Sequence, residues 1–180
     1  MKYIFILLAA IGLTATTVNA QKVYSTKNGK ISFYSKAPLE DIEAQNSEVE
    51  SKLAAATGQV VFTLLIKGFQ FENQLMEDHF NENYLESSKY PKSNFKGYVT
   101  NIKSIDLNKD GSYPAKVKGE LTIHGVTKPL ETDGTLEVKG GKVTAKARFP
   151  VKLKDHNIGG SMVGKKIAET IVVDVNCQYD

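Results

Sequence analysis

From Lys30 onward the chain is written largely in a two-residue rhythm, and that rhythm limits its fold more than any other feature. Alternation of apolar and polar residues puts one side of an extended segment against a core and the other in water. Strands are expected at Lys30 to Ser35, Ser47 to Ala55 and Gln59 to Ile66. After a different stretch they resume at Asn94 to Ser104, Tyr113 to His124, Leu130 to Val138, Val143 to Leu153 and Glu169 to Tyr179. Gln59 to Ile66 is apolar on both faces, which predicts the most enclosed strand. Turn residues separate the runs: Ala56-Thr57-Gly58, Asp106 to Gly111, and Gly140-Gly141 as a hairpin.

The exception is Phe71 to Ser88. Leu75, Met76, His79, Phe80 and Tyr84 recur there at helical spacing among acidic residues, and Tyr90-Pro91 then forces extension. The result is an all-β chain of about eight antiparallel strands, with one amphipathic helix between the fourth and fifth. So many strands expose long edges unless the sheet closes, and a closed barrel of about eight is either filled by side chains or holds one small ligand. Gly97, Ala115, Gly119, Gly134, Ala145 and Ala147 are small residues on inward faces. They either relieve crowding at barrel corners or leave an apolar channel, and both readings stay open on pattern alone.

Residues 1–20 are read separately, as a cleaved export signal. Met1-Lys2 is the positive start, Tyr3 to Leu13 an apolar run too short to span a bilayer, and Val18-Asn19-Ala20 the small-residue cleavage site. The expected mature domain is 21–180, periplasmic or secreted, soluble and not membrane-spanning. Gln21 stands where a lipoprotein needs cysteine, so no lipid anchor is expected. The sole cysteine, Cys177, alternates with Ile171, Val173 and Val175 and reads as a buried thiol.

The chemistry that composition and spacing exclude is considerable. The formal charge is +3, and Arg148 is the only arginine; the lysines are interleaved with acids, so no nucleic-acid surface is expected. Asp106-Leu-Asn108-Lys-Asp110-Gly111 begins like a calcium loop, but Val117 stands where the bidentate acid belongs. His79, His124 and His156 fall on a helix, a strand end and a loop, with no spacing that favours a metal site. His79 shares a face with Leu75 and is expected to be packed and hydrogen-bonded. No G-x-S-x-G occurs, and Gly159 to Gly164 reads as a flexible connection. Neither cofactor nor catalytic residue is expected.

Three stretches carry a resemblance. "FQFENQLMEDHFNENYLESSKYPKSNFKG" (Phe69 to Gly97), "GELTIHGVTKPL" (Gly119 to Leu130) and "FPVKLKDHNIGG" (Phe149 to Gly160), with "ISFYSKAPLEDIEAQNS" near the start, resemble the YceI-like family of exported lipid- or polyisoprenoid-binding proteins. The likeness covers nearly all of residues 23 to 178. It departs near the start, where Lys27-Asn28-Gly29-Lys30 replaces a D-x-x-H-S segment and with it a histidine that the family often has. The resemblance implies an eight-stranded lipocalin-like barrel with a polyisoprenoid, quinone tail or similar lipid in its lumen. The expected lining is Phe62, Leu64, Phe95, Val117, Leu121, Ile123 and Phe149, with Phe80 and Tyr84 closing one end. His124-Gly125 is expected to end a strand at a tight bend, where His124 and Lys128 meet a polar head group. The expected partner is a long-chain isoprenoid or other lipid, with a homodimer left open. Two alternatives stand: a protein-interaction module in the envelope, and a lipid-modifying enzyme using His79 or His124.

Overall fold

The computed structural model describes residues 22–180; the expected export signal and its expected cleavage point before Gln21 lie outside the described residues. Nine strands follow in order: β1 (Val23–Lys36), β2 (Asp41–Ala54), β3 (Gln59–Leu65), β4 (Phe69–Phe71), β5 (Lys92–Val99), β6 (Gly111–Ile123), β7 (Val126–Lys139), β8 (Lys142–Lys152) and β9 (Thr170–Gln178). Helix α1 (Gln74–His79) lies between β4 and β5 and continues as a wider π turn over Phe80–Tyr84. The sheet runs β1-β9-β8-β7-β6-β5-β3-β2, and pairing of β1 with β2 closes it into an eight-stranded antiparallel barrel. The short β4 adds to the far end of β2, pairing Phe71 with Ala44 and Phe69 with Asn46. Closure removes the long exposed edges that an open sheet of this size would carry.

Where the bounds of β2 differ from expectation, inward polar residues are the cause. β2 starts six residues before Ser47, at Asp41, because its core-facing positions include the buried Asn46 and Ser51. Each is hydrogen-bonded: Asn46 Nδ2 donates to the Leu65 carbonyl at 2.9 Å, and Ser51 Oγ to that of Val61 at 3.0 Å. Such polar positions are stable inside only when satisfied in this way, and they break the apolar alternation. In β1, register shifts on either side of Gly29 change the phase of the pattern, so the strand extends back to Val23. The expectation that Gln59 to Ile66 is the most enclosed strand is overturned. Leu65 is 50% exposed, because the outward face of the barrel meets water.

The two ends of the barrel differ. One end carries short turns and the 3₁₀ turn Ile102–Ser104, and there Ile102, Ile105 and Leu107 pack with Tyr24, Leu53, Val99, Val143 and Tyr179 into a closed core. The other end carries the long connections: the β1–β2 loop, the segment with α1, and residues 153–169. That last segment is not the flexible connection expected from its glycines. Ile158 is buried, Val163 and Ile167 pack against the core, and Ala168 N donates to Ser35 Oγ at 2.8 Å.

Cys177 and Tyr179 are both fully buried on β9 and just beyond it. Burial pushes the Cys177 thiol up to about 11 against a weak opposing contact with the Lys30 carbonyl. Burial likewise pushes the Tyr179 hydroxyl up, against a hydrogen bond to Ser51. An acid whose folded pKa is raised releases its proton more readily when unfolded, so stability is intact below the unfolded value and lost as pH rises. For Cys177 the loss runs from the ordinary value of 9.0 to about 11, and at ~1.4 kcal/mol per pKa unit it amounts to roughly 2–3 kcal/mol. Urea midpoints at pH 8 and pH 10.5 should fall accordingly, and Cys177→Ala should flatten part of that slope. The folded chain should also resist thiol reagents at pH 8 until urea is added.

Candidate functional site

The inward residues of a filled barrel are all buried. Here they are not. Val117, Leu121 and Ile123 on β6, with Ile171, Val173 and Val175 on β9, face inward and are apolar, yet are only half-buried. What they face is a cavity of about 510 Å³ running from Val99, Ala115 and Tyr179 at the closed end to Leu75 and Met162 at the open one. Phe62, Leu64, Phe80, Tyr84, Phe95 and Phe149 line it as well. The apolar face of the helical segment supplies Leu75, Met76, Phe80 and Tyr84, with His79 beside them, so amphipathicity is spent on covering the lumen mouth.

Small inward residues divide between the two roles open from sequence. Gly97 and Gly119 sit directly opposite each other on β5 and β6, and the tip of the Phe95 ring lies over both. Their missing side chains make room for that ring. Ala115, Gly134, Ala145 and Ala147 instead border the cavity, so these four widen it.

At the mouth, Phe33, Phe69, Phe71 and Phe80 form one aromatic cluster. Phe80 lies 5.5 Å from Phe33 in a stacked pair, 5.0 Å from Phe71 and 5.5 Å edge-on from Phe69. These contacts hold the π turn against β1 and β4, and offset and edge-on rings are the favourable arrangements. Phe33, Phe69 and Phe71 were not expected as lining. The three-residue β4 is too short to show alternation, and its two phenylalanines merge in sequence with the helical run that follows.

Two expected residues do not border the cavity. His124 sits at the tip of the β6–β7 hairpin with φ of 51°, followed by Gly125 at 72°, the pair of positive angles that a two-residue type I′ turn requires. Its ring lies edge-on to Tyr90 at 4.6 Å, with Nε2 2.7 Å from Glu86 Oε2 and Nδ1 3.2 Å from the His156 carbonyl. His156 is buried, and its Nδ1 lies 3.1 Å from the Val126 carbonyl. The two histidines thus clasp the hairpin tip to the turn that follows β8. Lys128 pairs with Leu121, so it shares the lumen-side face of the sheet, but its side chain is exposed. His79 corrects another expectation. It is exposed on α1 at the cavity mouth, not packed, because the helix turns that edge towards solvent.

Glu40, Asn73, His79 and Lys166 are the polar groups at the mouth, and Lys166 lies 3.7 Å from Glu40. Around them stand exposed apolar side chains, Leu39 at 71%, Leu75 at 60% and Met162 at 43%. Among the described residues no three His, Cys, Asp or Glu side chains gather where they could hold a metal ion. No described helix is long and apolar enough to cross a membrane.

A closed eight-stranded barrel with a largely apolar lumen and charged groups at its mouth defines a lipocalin-like class of structure. Within that class the chain belongs to the YceI-like domain family, whose model matches residues 14–179. A "UPF0312 protein" of Pseudomonas fluorescens (strain Pf-5) is 35% identical over 60 residues, a match spanning 33% of this chain and 29% of that protein. In three dimensions the chain is similar to a polyisoprenoid binding domain from Saccharophagus degradans implicated in plant cell wall breakdown. The TM-score is 0.77 at 12% identity, covering 89% of this chain and 98% of the other. Burkholderia cenocepacia BcnA follows with a TM-score of 0.70 at 16% identity, over 83% and 95%. A Campylobacter jejuni YCEI protein has 0.55 at 16%, over 100% and 99%. At these identities the structural likeness speaks for the fold.

Proposed function

We propose that this chain is an exported carrier that holds a long apolar chain, such as a polyisoprenoid or quinone tail, in the barrel lumen. The observation that carries the reading is the half-buried state of apolar residues facing a cavity of about 510 Å³ inside a closed barrel. That volume suits a ligand site, which spans roughly 300–1,000 Å³ in general. Each methylene placed against Phe62, Leu121, Phe149 and their neighbours contributes about 0.8 kcal/mol. Affinity then grows with the length of chain accommodated, and the polar mouth sets which head group is tolerated. Glu40, His79 and Lys166 border that mouth, and Lys128 stands on the same lumen-side face. His124 acts by holding the hairpin beside it. The polyisoprenoid-binding neighbour of the same fold supports this choice of ligand class.

A second reading, docking of an envelope protein on the mouth, draws on the exposed Leu39, Leu75 and Met162. Native mass spectrometry of protein purified from its own periplasm separates the two. The carrier reading expects a co-purified lipid, or uptake of a long-chain isoprenoid on titration. A chain that flies empty and takes up none is not a carrier.

A further inference from the structure

At the β7–β8 junction the barrel wall is laddered over only part of its length. β7 and β8 pair from Lys139↔Lys142 to Gly134↔Ala147 and then part company. Beyond that point Val126 to Asp133 remain paired with β6, and Arg148 to Lys152 with β9, while the two segments share no ladder pair. The seam has two definite ends. One is the rung Gly134↔Ala147; the other is the clasp in which His156 meets the Val126 carbonyl and His124 meets that of His156.

The orientation of the backbone shows which groups face the seam. Both flanking hairpins have two-residue turns, so their closing pairs, Ile123↔Val126 and Lys139↔Lys142, are hydrogen-bonded, and bonding alternates from there. Counting along β7 from Val126, position 129 directs its backbone away from β6, into the seam. Counting along β8 from Lys142, position 150 directs its backbone towards β7, again into the seam. Both positions are proline: Pro129 and Pro150. Each edge therefore lacks a donor where a continued ladder needs one. The Asp133 carbonyl, at the head of the seam, accepts from the neighbouring Thr132 hydroxyl at 3.1 Å. Prolines on both edges equally disfavour an added strand from a partner, which would need those donors. Gly134, Thr135, Lys146 and Ala147, at the head of the seam, border both the lumen and a hollow on the outer wall.

We propose that this seam is a lateral passage through which an apolar chain moves between the lumen and the outside. The inference rests on the carrier reading, and it adds the route. A chain threaded only through the mouth must pass the aromatic cluster end-first. A chain crossing the seam parts two strand edges that no ladder joins, and its head group stays outside.

The test is a staple. Glu131 and Lys152 are exposed on the two edges of the seam, and Glu131 also faces Lys118 across the intact β6–β7 ladder. Glu131→Cys with Lys152→Cys, joined by a short bis-maleimide, closes the seam; Glu131→Cys with Lys118→Cys, joined likewise, staples a continuous wall. Stopped-flow fluorescence with a dansyl-labelled farnesyl probe reads association and dissociation. The seam staple should slow both at least tenfold with an unchanged Kd, and the control staple should leave both within twofold of the unmodified chain. Binding with unaltered rates in the seam-stapled chain overturns the passage and leaves the carrier reading standing. An unmodified chain that takes up no probe overturns both. Hydrogen exchange tests the seam without any ligand: the amides of Glu131, Asp133 and Lys152 should exchange at least a hundredfold faster than those of Gly119 and Leu121. Equal protection means that the edges are joined, and the passage is refuted.

Discussion

Replacing Gly119 by valine should strongly destabilise the chain and lower its urea midpoint and Tm. A Cβ at Gly119 would lie 2.6 Å from the Gly97 Cα and 2.7 Å from the tip of the Phe95 ring, and closer still to the Lys96 carbonyl oxygen. Two of those neighbours are backbone of the adjacent strand, which moves only if the barrel wall moves. Overpacking a tight site costs about 1–3 kcal/mol, occasionally more, and a β-branched residue adds methyl groups to a position already closed to one carbon. We expect a loss of roughly 4 kcal/mol, a large share of the ~5–15 kcal/mol that stabilises a typical domain. Urea denaturation followed by circular dichroism measures it. Shortening the ring in Phe95→Leu should recover only part of the loss, because the backbone clash remains. Gly159→Ala, where a Cβ meets nothing within 4 Å, should stay within about 0.5 kcal/mol of the parent. A tolerated Gly119→Val would mean that β5 and β6 are not held at this spacing.

That pair of glycines also marks how far the sequence could be read. Strand existence was legible because a barrel wall has one wet and one dry face, so alternation survives from β5 to β9. The helix was legible because Leu75, Met76, Phe80 and Tyr84 keep a helical period while acids fill the other face, although its ends came out too wide. Both flanks of Gln74–Tyr84 are extended or turning segments that carry aromatic residues of their own. β2 was read short because Asn46 and Ser51 are buried through bonds to carbonyls of β3, a long-range fact with no local trace. Inward position was likewise legible for Val117, Leu121, Ile123 and Phe149. The identity of what an inward glycine faces was not: Gly97 is capped by Phe95, while Gly134 borders the lumen, and the two read alike in a strand pattern. His124 was legible as a turn residue from its glycine neighbour. Its link to Glu86 and His156 spans 38 and 32 residues of chain, beyond the reach of any local pattern.

The asymmetry between the barrel's ends gives these pieces a common purpose. At the closed end, Ile102, Ile105 and Leu107 fill the space with side chains packed into a buried core. At the open end the long connections lay α1 and residues 153–169 over the lumen, and Ile66, Phe69, Leu85, Leu153 and Ile158 are buried in a second cluster beside it. On the proposed carrier function, an apolar ligand buried there would complete a core that the chain alone leaves unfilled. A bound ligand should therefore raise stability with the logarithm of its free concentration once that exceeds Kd.

The two roles open to the inward residues, core or channel, make opposite predictions for the double substitution Val117→Trp, Val175→Trp. These positions lie on β6 and β9, both face the lumen, and both are half-buried. In a filled core each indole would overpack at about 1–3 kcal/mol, and the pair would be severely destabilising. In an open lumen the rings enter existing space, and strand preference for aromatic residues is if anything favourable. We expect a stability change within about 1 kcal/mol by urea denaturation. The ligand should suffer instead: excluding four or five methylenes at about 0.8 kcal/mol each amounts to more than 3 kcal/mol, a loss of over a hundredfold in affinity for an isoprenoid probe. The parent sequence contains no tryptophan, so the new indoles report their own surroundings. Blue-shifted emission in the folded chain, with weakened binding and preserved stability, is the signature of a lumen occupied by its own wall. Red-shifted emission with intact binding would mean that β6 and β9 turn these positions outward and that the apolar channel lies elsewhere.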